Sequence, residues 1–224
     1  MRLSSRARVG LSWAAVLLAL SACAPKPNGE APHFQGNAGA GAALAQRVCA
    51  ACHGLDGNGT SPEIPKLAGQ YPEYIQKQLL AFRQGPGGKP KRLSLVMAPI
   101  AAALSTADIA NAAAYYAGQP LAPAAARDRS RLALGAKIYA EGDPDRDLPA
   151  CITCHRSTGA GIRPDFPRIG GQSPDYLAGQ LAHWEDTRGH RGKLMSMIVP
   201  HLQPDEREAV VDYIAQLRPD APQR

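Results

Sequence analysis

The chain has 224 residues, of which 45% are hydrophobic, 5% aromatic and 20% charged, a balance that excludes a disordered chain, a collagen and a protein with many membrane spans. The formal charge is +6, but Arg2, Arg6 and Arg8 lie in a leader; residues 23–224 carry 22 basic and 19 acidic side chains, too small an excess to suggest nucleic-acid binding. With only 2 Trp, 7 Tyr and 3 Phe, something besides side chains is expected to help fill the core.

Residues 1–22 read as an export signal: a basic head, then an apolar stretch from Val9 to Leu20 that is shorter than the ~20 residues a spanning helix needs. Leu20-Ser21-Ala22-Cys23 resembles the bacterial lipobox, so Cys23 is expected to become the lipidated first residue, with residues 23–37 as a flexible tether. Ordinary cleavage after Ala24 is the alternative, but it leaves Pro25 in first place, which leader peptidases generally reject. The protein is therefore expected in the periplasm as a membrane-anchored lipoprotein.

Next comes an internal repeat. At an offset of 102 residues Cys49-Ala50-Ala51-Cys52-His53 aligns with Cys151-Ile152-Thr153-Cys154-His155, and the match continues through Pro62, Pro65, Gly69-Gln70, Pro72, Tyr74, Gln78-Leu79 and Phe82 against Pro164, Pro167, Gly171-Gln172, Pro174, Tyr176, Gln180-Leu181 and Trp184. After a loop four residues longer in the first half, the offset becomes 98, and Met97, Leu104 and Tyr115 meet Met195, Leu202 and Tyr213. Each half predicts the same helical plan. A helix precedes the cysteines (about 38–49 and 130–139), a second opens at Pro72 or Pro174 and runs to about residue 84 or 187, and a third follows the methionine. That last helix begins at the capping pattern of Ser105 and Asp108 and stops at Gly118, or begins at Pro204 and ends before Pro219. No segment alternates in the manner of a strand, so the fold class is all-α: two tandem domains, residues 38–119 and 128–218, joined by a linker at 120–127 and followed by a tail at 219–224.

The two Cys-x-x-Cys-His sequences are c-type haem attachment signatures. Two thiols one helical turn apart can each add to a vinyl group on one porphyrin edge, and the adjacent histidine then turns its imidazole to the iron. Cys49 and Cys52, and Cys151 and Cys154, are thus candidates for covalent attachment of two haems c, with His53 and His155 as iron ligands. Zinc fits poorly, because ribbon sites place the second cysteine pair about 15–20 residues on, whereas Cys52 and Cys151 are 99 positions apart. A thioredoxin-like dithiol needs a βαβ context and explains neither histidine. No disulfide is expected. The porphyrins would supply the missing core of two domains of under 100 residues each.

Beyond Met1 the chain has three methionines, Met97, Met195 and Met197, all 40 to 44 residues after a motif histidine and just before the last helix of a repeat. Met97 and Met195 are the expected sixth ligands, Met195 because Pro99-Ile100 then faces Met197-Ile198; Met197 is the alternative. His33, His183, His190 and His201 are expected to be solvated or structural. Near Pro65 and Pro167 a backbone carbonyl is positioned in sequence to accept the Nδ1–H of the haem histidine. Gly41 and Gly135 are placed to let the first helix of each half approach the last, with Tyr115 and Tyr213 at the contact.

With the two Cys-x-x-Cys-His motifs, the turns Pro65–Gln70 and Pro167–Gln172, and the sequences Met97-Ala98-Pro99-Ile100 and Met195-Ser196-Met197-Ile198, the chain resembles the cytochrome c4 family over about residues 36–218. The resemblance implies two class I cytochrome c domains about an approximate twofold axis, their haems close together, carrying electrons in the bacterial periplasm, often to a terminal oxidase. It implies covalent attachment by the four motif cysteines, with His53 and His155 proximal and Met97 and Met195 distal to iron. Two features depart from the family: the lipobox, and an Asp- and Pro-rich insertion at Glu141–Ala150 that alters a surface beside the second haem. The function expected is one-electron transfer without a bound substrate, between a dehydrogenase or quinol–cytochrome c reductase and an oxidase or reductase. The alternatives are a haem subunit of a flavocytochrome-like dehydrogenase and a dihaem enzyme with an open iron. Residues 23–125 carry eight basic and five acidic side chains and residues 126–224 fourteen of each, which favours the first domain for a partner with an acidic patch.

Overall fold

Asn37 starts the first helix by accepting the Ala40 N–H on its side chain at 2.9 Å, while its own N–H donates to Asn111 Oδ1 at 2.8 Å. The computed structural model describes residues 35–85, 88–188 and 194–219. Cys23, His33 and His190, with the expected leader and most of the tether, lie outside the described residues.

In the first half α1 (Ala38–Leu44) runs on through a π-helical turn (Ala45–Cys49) into α2 (Ala50–His53). It is followed by α3 (Pro72–Phe82), α4 (Met97–Ala103) and α5 (Thr106–Ala117). The second half repeats the order with α6 (Leu132–Glu141), α7 (Ile152–His155), α8 (Pro174–Ala182), α9 (Trp184–Arg188), α10 (Leu194–Ile198) and α11 (Pro204–Gln216). Proline occupies the first turn of α3, α8 and α11, where its missing N–H has no helical partner to lose. Ser105 and Asp108 form the expected capping box at the start of α5, and Gly118 ends it. The second helix of each half is shorter than expected: α3 stops at Phe82, and the chain breaks at His183 between α8 and α9. Among the described residues, extended pairing is limited to isolated bridges such as Ile162 with Phe166.

The first and last helices of each half pack together because a glycine lets their backbones touch. A Cβ on Gly41 would lie 2.1 Å from the Asn111 carbonyl oxygen and 2.7 Å from Tyr115 Cβ; on Gly135, 2.1 Å from the Ala209 oxygen and 2.8 Å from Tyr213 Cβ. Around this crossing the first half buries Leu44, Ala45, Ile75, Ile109 and Tyr116, and the second Ile138, Tyr139, Leu148, Val210, Val211 and Ile214. Full burial of each large side chain contributes about 1.5–3 kcal/mol. The Glu141–Ala150 insertion is more than a surface feature. Leu148 joins the core, and Arg146, the last residue of the 3-10 turn Pro144–Arg146, bonds Asp143 at 2.7 Å and the Glu206 carboxylate of α11 at 2.5 and 3.1 Å.

All described residues belong to one compact unit. The halves are joined by two buried glutamines 102 positions apart. Gln70 Nε2 donates to the Arg168 carbonyl at 2.8 Å and its Oε1 accepts from Arg168 N at 3.0 Å. Gln172 Nε2 donates to the Lys66 carbonyl at 2.9 Å and its Oε1 accepts from Lys66 N at 2.8 Å. Lys77 with Asp165 at 2.7 Å, and Arg163 with Glu73, add ion pairs at the rim. The linker is held down as well: Asn58 Oδ1 accepts Ala122 N at 2.8 Å, and Lys66 Nζ donates to the carbonyls of Ala122 at 2.7 Å and Pro123 at 3.1 Å.

Candidate haem sites

Each Cys-x-x-Cys-His sequence forms a single helical turn, with Cys49 or Cys151 at its N-cap and His53 or His155 as its last residue. The chain then reverses through the left-handed region at Gly54 (φ 73°) and Arg156 (φ 65°). The reversal is held by hydrogen bonds from Gly59 N to the His53 carbonyl at 2.8 Å and from Gly161 N to the His155 carbonyl at 2.9 Å. These short loops present two thiols and an imidazole on one unit. All four thiols are free; Cys52 is exposed and the other three are half-buried. Burial pushes the Cys151 thiol up to about 11 and raises that of Cys49, so both are protonated at neutral pH.

Both histidines are 9% exposed. His53 Nδ1 lies 3.0 Å from the Pro65 carbonyl and His155 Nδ1 3.1 Å from that of Pro167. A carbonyl can only accept, so Nδ1 carries the proton and Nε2 holds the lone pair free for a ligand bond. Burial lowers both histidine pKa values, opposed by the two carbonyls, which keeps the rings neutral. The prolines thus stand where the sequence suggested an acceptor.

Met97 opens α4, its N–H donating to Ser94 Oγ at 3.1 Å, and its side chain is half-buried. In α10 Met195 is half-buried whereas Met197 is 70% exposed. His183 is exposed and faces Asp186 at 3.5 Å, and the His201 carbonyl accepts from Arg146 at 3.1 Å. Among the described residues no group of three His, Cys, Asp or Glu side chains could hold a bare metal ion.

Two features escaped the sequence reading. Tyr116 on α5 donates its hydroxyl to the Gly54 carbonyl at 3.1 Å, and Tyr139 on α6 donates to the Arg156 carbonyl at 2.6 Å, each pinning the residue after the motif histidine. The repeat carries their trace: Gly41 set against Gly135 brings Ala45 opposite Tyr139, and the later offset of 98 brings Tyr116 opposite Ile214. The second feature is a pair of arginines, Arg92 and Arg188, at the contact between the halves.

The donor set, two thiols and a neutral imidazole with Nε2 free in each helical half, fits haem c and defines a tandem c-type cytochrome. The Cytochrome c family profile matches residues 38–118 and 132–218. The chain belongs to the dihaem cytochrome c4 family. It is 39% identical over 189 residues to cytochrome c4 of Pseudomonas aeruginosa, covering 83% of this chain and 90% of that protein. It is 36% identical over 209 residues to the thiosulfate dehydrogenase electron acceptor of Stutzerimonas stutzeri, covering 91% of this chain and 92% of that protein. The crystal structure of reduced recombinant cytochrome c4 from Pseudomonas stutzeri superposes with a TM-score of 0.75 at 34% identity, covering 82% of this chain and 100% of that one. The protein is therefore an electron-transfer cytochrome with two covalently bound haems c.

Proposed function

We propose that this cytochrome is a periplasmic, lipid-anchored one-electron carrier, with one haem attached in the domain 38–119 and the other in the domain 128–218. Cys49 and Cys52 would hold the first haem and Cys151 and Cys154 the second; His53 and Met97 would bind the first iron, and His155 and Met195 the second. When bound, each haem supplies an Fe(III)/Fe(II) couple. His53 and His155 present Nε2 because Pro65 and Pro167 hold their Nδ1 protons, the observation that carries the reading. The thioethers of Met97 and Met195, soft and neutral, would favour the reduced state and keep a substrate from the iron. The half-buried Met195 suits this role better than the exposed Met197.

The donor is a dehydrogenase or a quinol–cytochrome c reductase and the acceptor an oxidase or reductase. The relative named as a thiosulfate dehydrogenase electron acceptor supports the dehydrogenase. The alternative of a haem subunit on such an enzyme predicts co-purification with it.

The test is the sulfur-to-iron charge-transfer band of the oxidised protein. Met97→Ala should remove the first haem's share and open that iron to carbon monoxide, Met195→Ala should do so for the second, and Met197→Ala should change neither spectrum. Loss of the second band in Met197→Ala alone would move the ligand by two residues; a native high-spin haem that binds carbon monoxide would favour an enzyme. For the anchor, Cys23→Ala should release the protein from membranes, and an unlipidated native Cys23 by intact mass overturns that assignment.

A further inference from the structure

In the second half a cavity of about 160 Å³ opens where α8, α9, α10 and α11 meet, with Leu181, Trp184, Glu185, Ser196, Val199 and Arg207 among its walls. Neither Cys151, Cys154, His155 nor Met195 lines it, so it is separate from the haem-binding groups.

The repeat shows what has changed there. In the first half Arg83 fills the equivalent place, donating from Nε to the Ala101 carbonyl at 2.8 Å and from Nη2 to that of Leu104, and Ile109 is wholly buried in the core with Leu104. At the matching positions the second half has Glu185 for Arg83, Val199 for Ala101, Leu202 for Leu104 and Arg207 for Ile109, with Ser196 in place of Ala98. The arginine that closed the space is gone, and a guanidinium now enters from α11, where the other copy has a core isoleucine.

That guanidinium is poorly satisfied. Among the described residues its one acceptor is the Leu202 carbonyl at 3.5 Å, no carboxylate lies at ion-pair distance, and its buried Nε donates to nothing. The Glu185 carboxylate is exposed on the same cavity but does not reach it. A buried charged donor without an acceptor is costly, and the planar fork of arginine matches a carboxylate better than any other small acceptor. The other walls are apolar. Leu181 and Val199 face the cavity with the Trp184 ring, whose Nε1 is already donated to Ser196 Oγ at 3.1 Å. The volume is close to that of an apolar cavity, about 150 Å³, that accepts benzene.

We propose that this cavity is a binding site for a small organic monocarboxylate, its carboxylate on Arg207 and its apolar body against Leu181, Val199 and the Trp184 ring. The site belongs to the second domain alone, because the first keeps Arg83 and Ile109 in its place, and it goes beyond electron transfer as proposed above.

The test is a titration of the reduced holoprotein with sodium benzoate at fixed ionic strength, read at the indole N–H resonance of Trp184, the one tryptophan outside residues 1–22. The resonance should shift and saturate while the visible haem spectrum stays unchanged. Benzamide, neutral and of the same shape, and inorganic phosphate, which has no apolar body, should each bind about tenfold more weakly or worse. Arg207→Ile, which restores the residue of the first half, should weaken benzoate by a similar factor, with Arg207→Lys in between. A wild-type protein that shows no saturable shift overturns the proposal, a result that needs no variant to fold. Benzamide or phosphate binding as tightly as benzoate overturns the ligand class, and wild-type affinity in Arg207→Ile overturns the site. A benzoate-dependent change in the visible spectrum without one at Trp184 places the anion at iron and overturns it as well.

Discussion

Tyr116 and Tyr139 stand on helices that are not equivalents of one another, α5 and α6, yet their hydroxyls hold equivalent carbonyls, those of Gly54 and Arg156. Tyr116→Phe and Tyr139→Phe should each cost about 0.5–1.5 kcal/mol, the usual net worth of one hydrogen bond. Denaturant unfolding of the holoprotein measures this. The larger loss is expected at Tyr139, whose bond is shorter and fixes a non-glycine residue at φ 65°.

The same arrangement predicts a compensating exchange. In the first half the small Ala45 faces the large Tyr116; in the second the large Tyr139 faces Ile214. Ala45→Tyr alone should overpack the first core, at a cost of about 1–3 kcal/mol. Adding Tyr116→Ile should restore part of that stability, giving a favourable coupling of about 0.5–3 kcal/mol in a double-mutant cycle. Strict additivity would show that the two positions do not exchange.

At the domain contact, Gln70→Leu removes the hydrogen bonds from Gln70 to the Arg168 N–H and carbonyl, and Gln172→Leu removes those to the Lys66 N–H and carbonyl. Each lost hydrogen bond costs about 0.5–1.5 kcal/mol. Calorimetry should show the transitions of the two halves drawing apart in either variant, with both haem spectra preserved.

Ser105→Ala removes the cap of α5 and should cost about 1 kcal/mol at neutral pH. Hydrogen bonds from the Ser105 side chain and then its backbone hold the Asp108 carboxyl below its usual range. A depressed folded-state pKa gives a stabilisation that is complete above the unfolded value near ~4 and is lost as pH falls through the folded one. The difference between wild type and variant should therefore be full at neutral pH and narrow in acid, as thermal unfolding at a series of pH values would show.

The repeat, the helical plan and the acceptors at Pro65 and Pro167 could be read from the sequence because each follows from local spacing: a helical turn between thiols, a proline in a first turn, a glycine where backbones cross. The close approaches at Gly41 and Gly135 followed from the same logic. What escaped was set by volume and charge across the fold. Tyr139 reads as an ordinary helix residue because its role depends on Ile214 packing in the same core, as Ala45 and Tyr116 do in the first half, and Leu148 reads as part of an acidic surface loop although it is almost wholly buried. Arg188 sits beside a Gly- and Arg-rich stretch that reads as solvated; only the fold brings it to Arg92. The π-helical turn at Ala45–Cys49 has no sequence signature in one copy of a helix.

Because Gln70 and Gln172 reach across to equivalent backbone segments, the mating face is isologous: one patch serves as its own complement. On separate chains such a patch closes a twofold dimer, whose assembly depends on concentration and whose every substitution acts twice. Tethering by the short stretch between the two family matches, which end at residue 118 and resume at 132, sets the effective concentration of the second patch at roughly millimolar, and it frees the copies to diverge. Lys66 has turned its ammonium to the linker carbonyls at 2.7 and 3.1 Å, whereas its counterpart Arg168 lies over the Tyr71 ring at 5.8 Å. One copy of the patch secures the tether, and the other is left to set the contact.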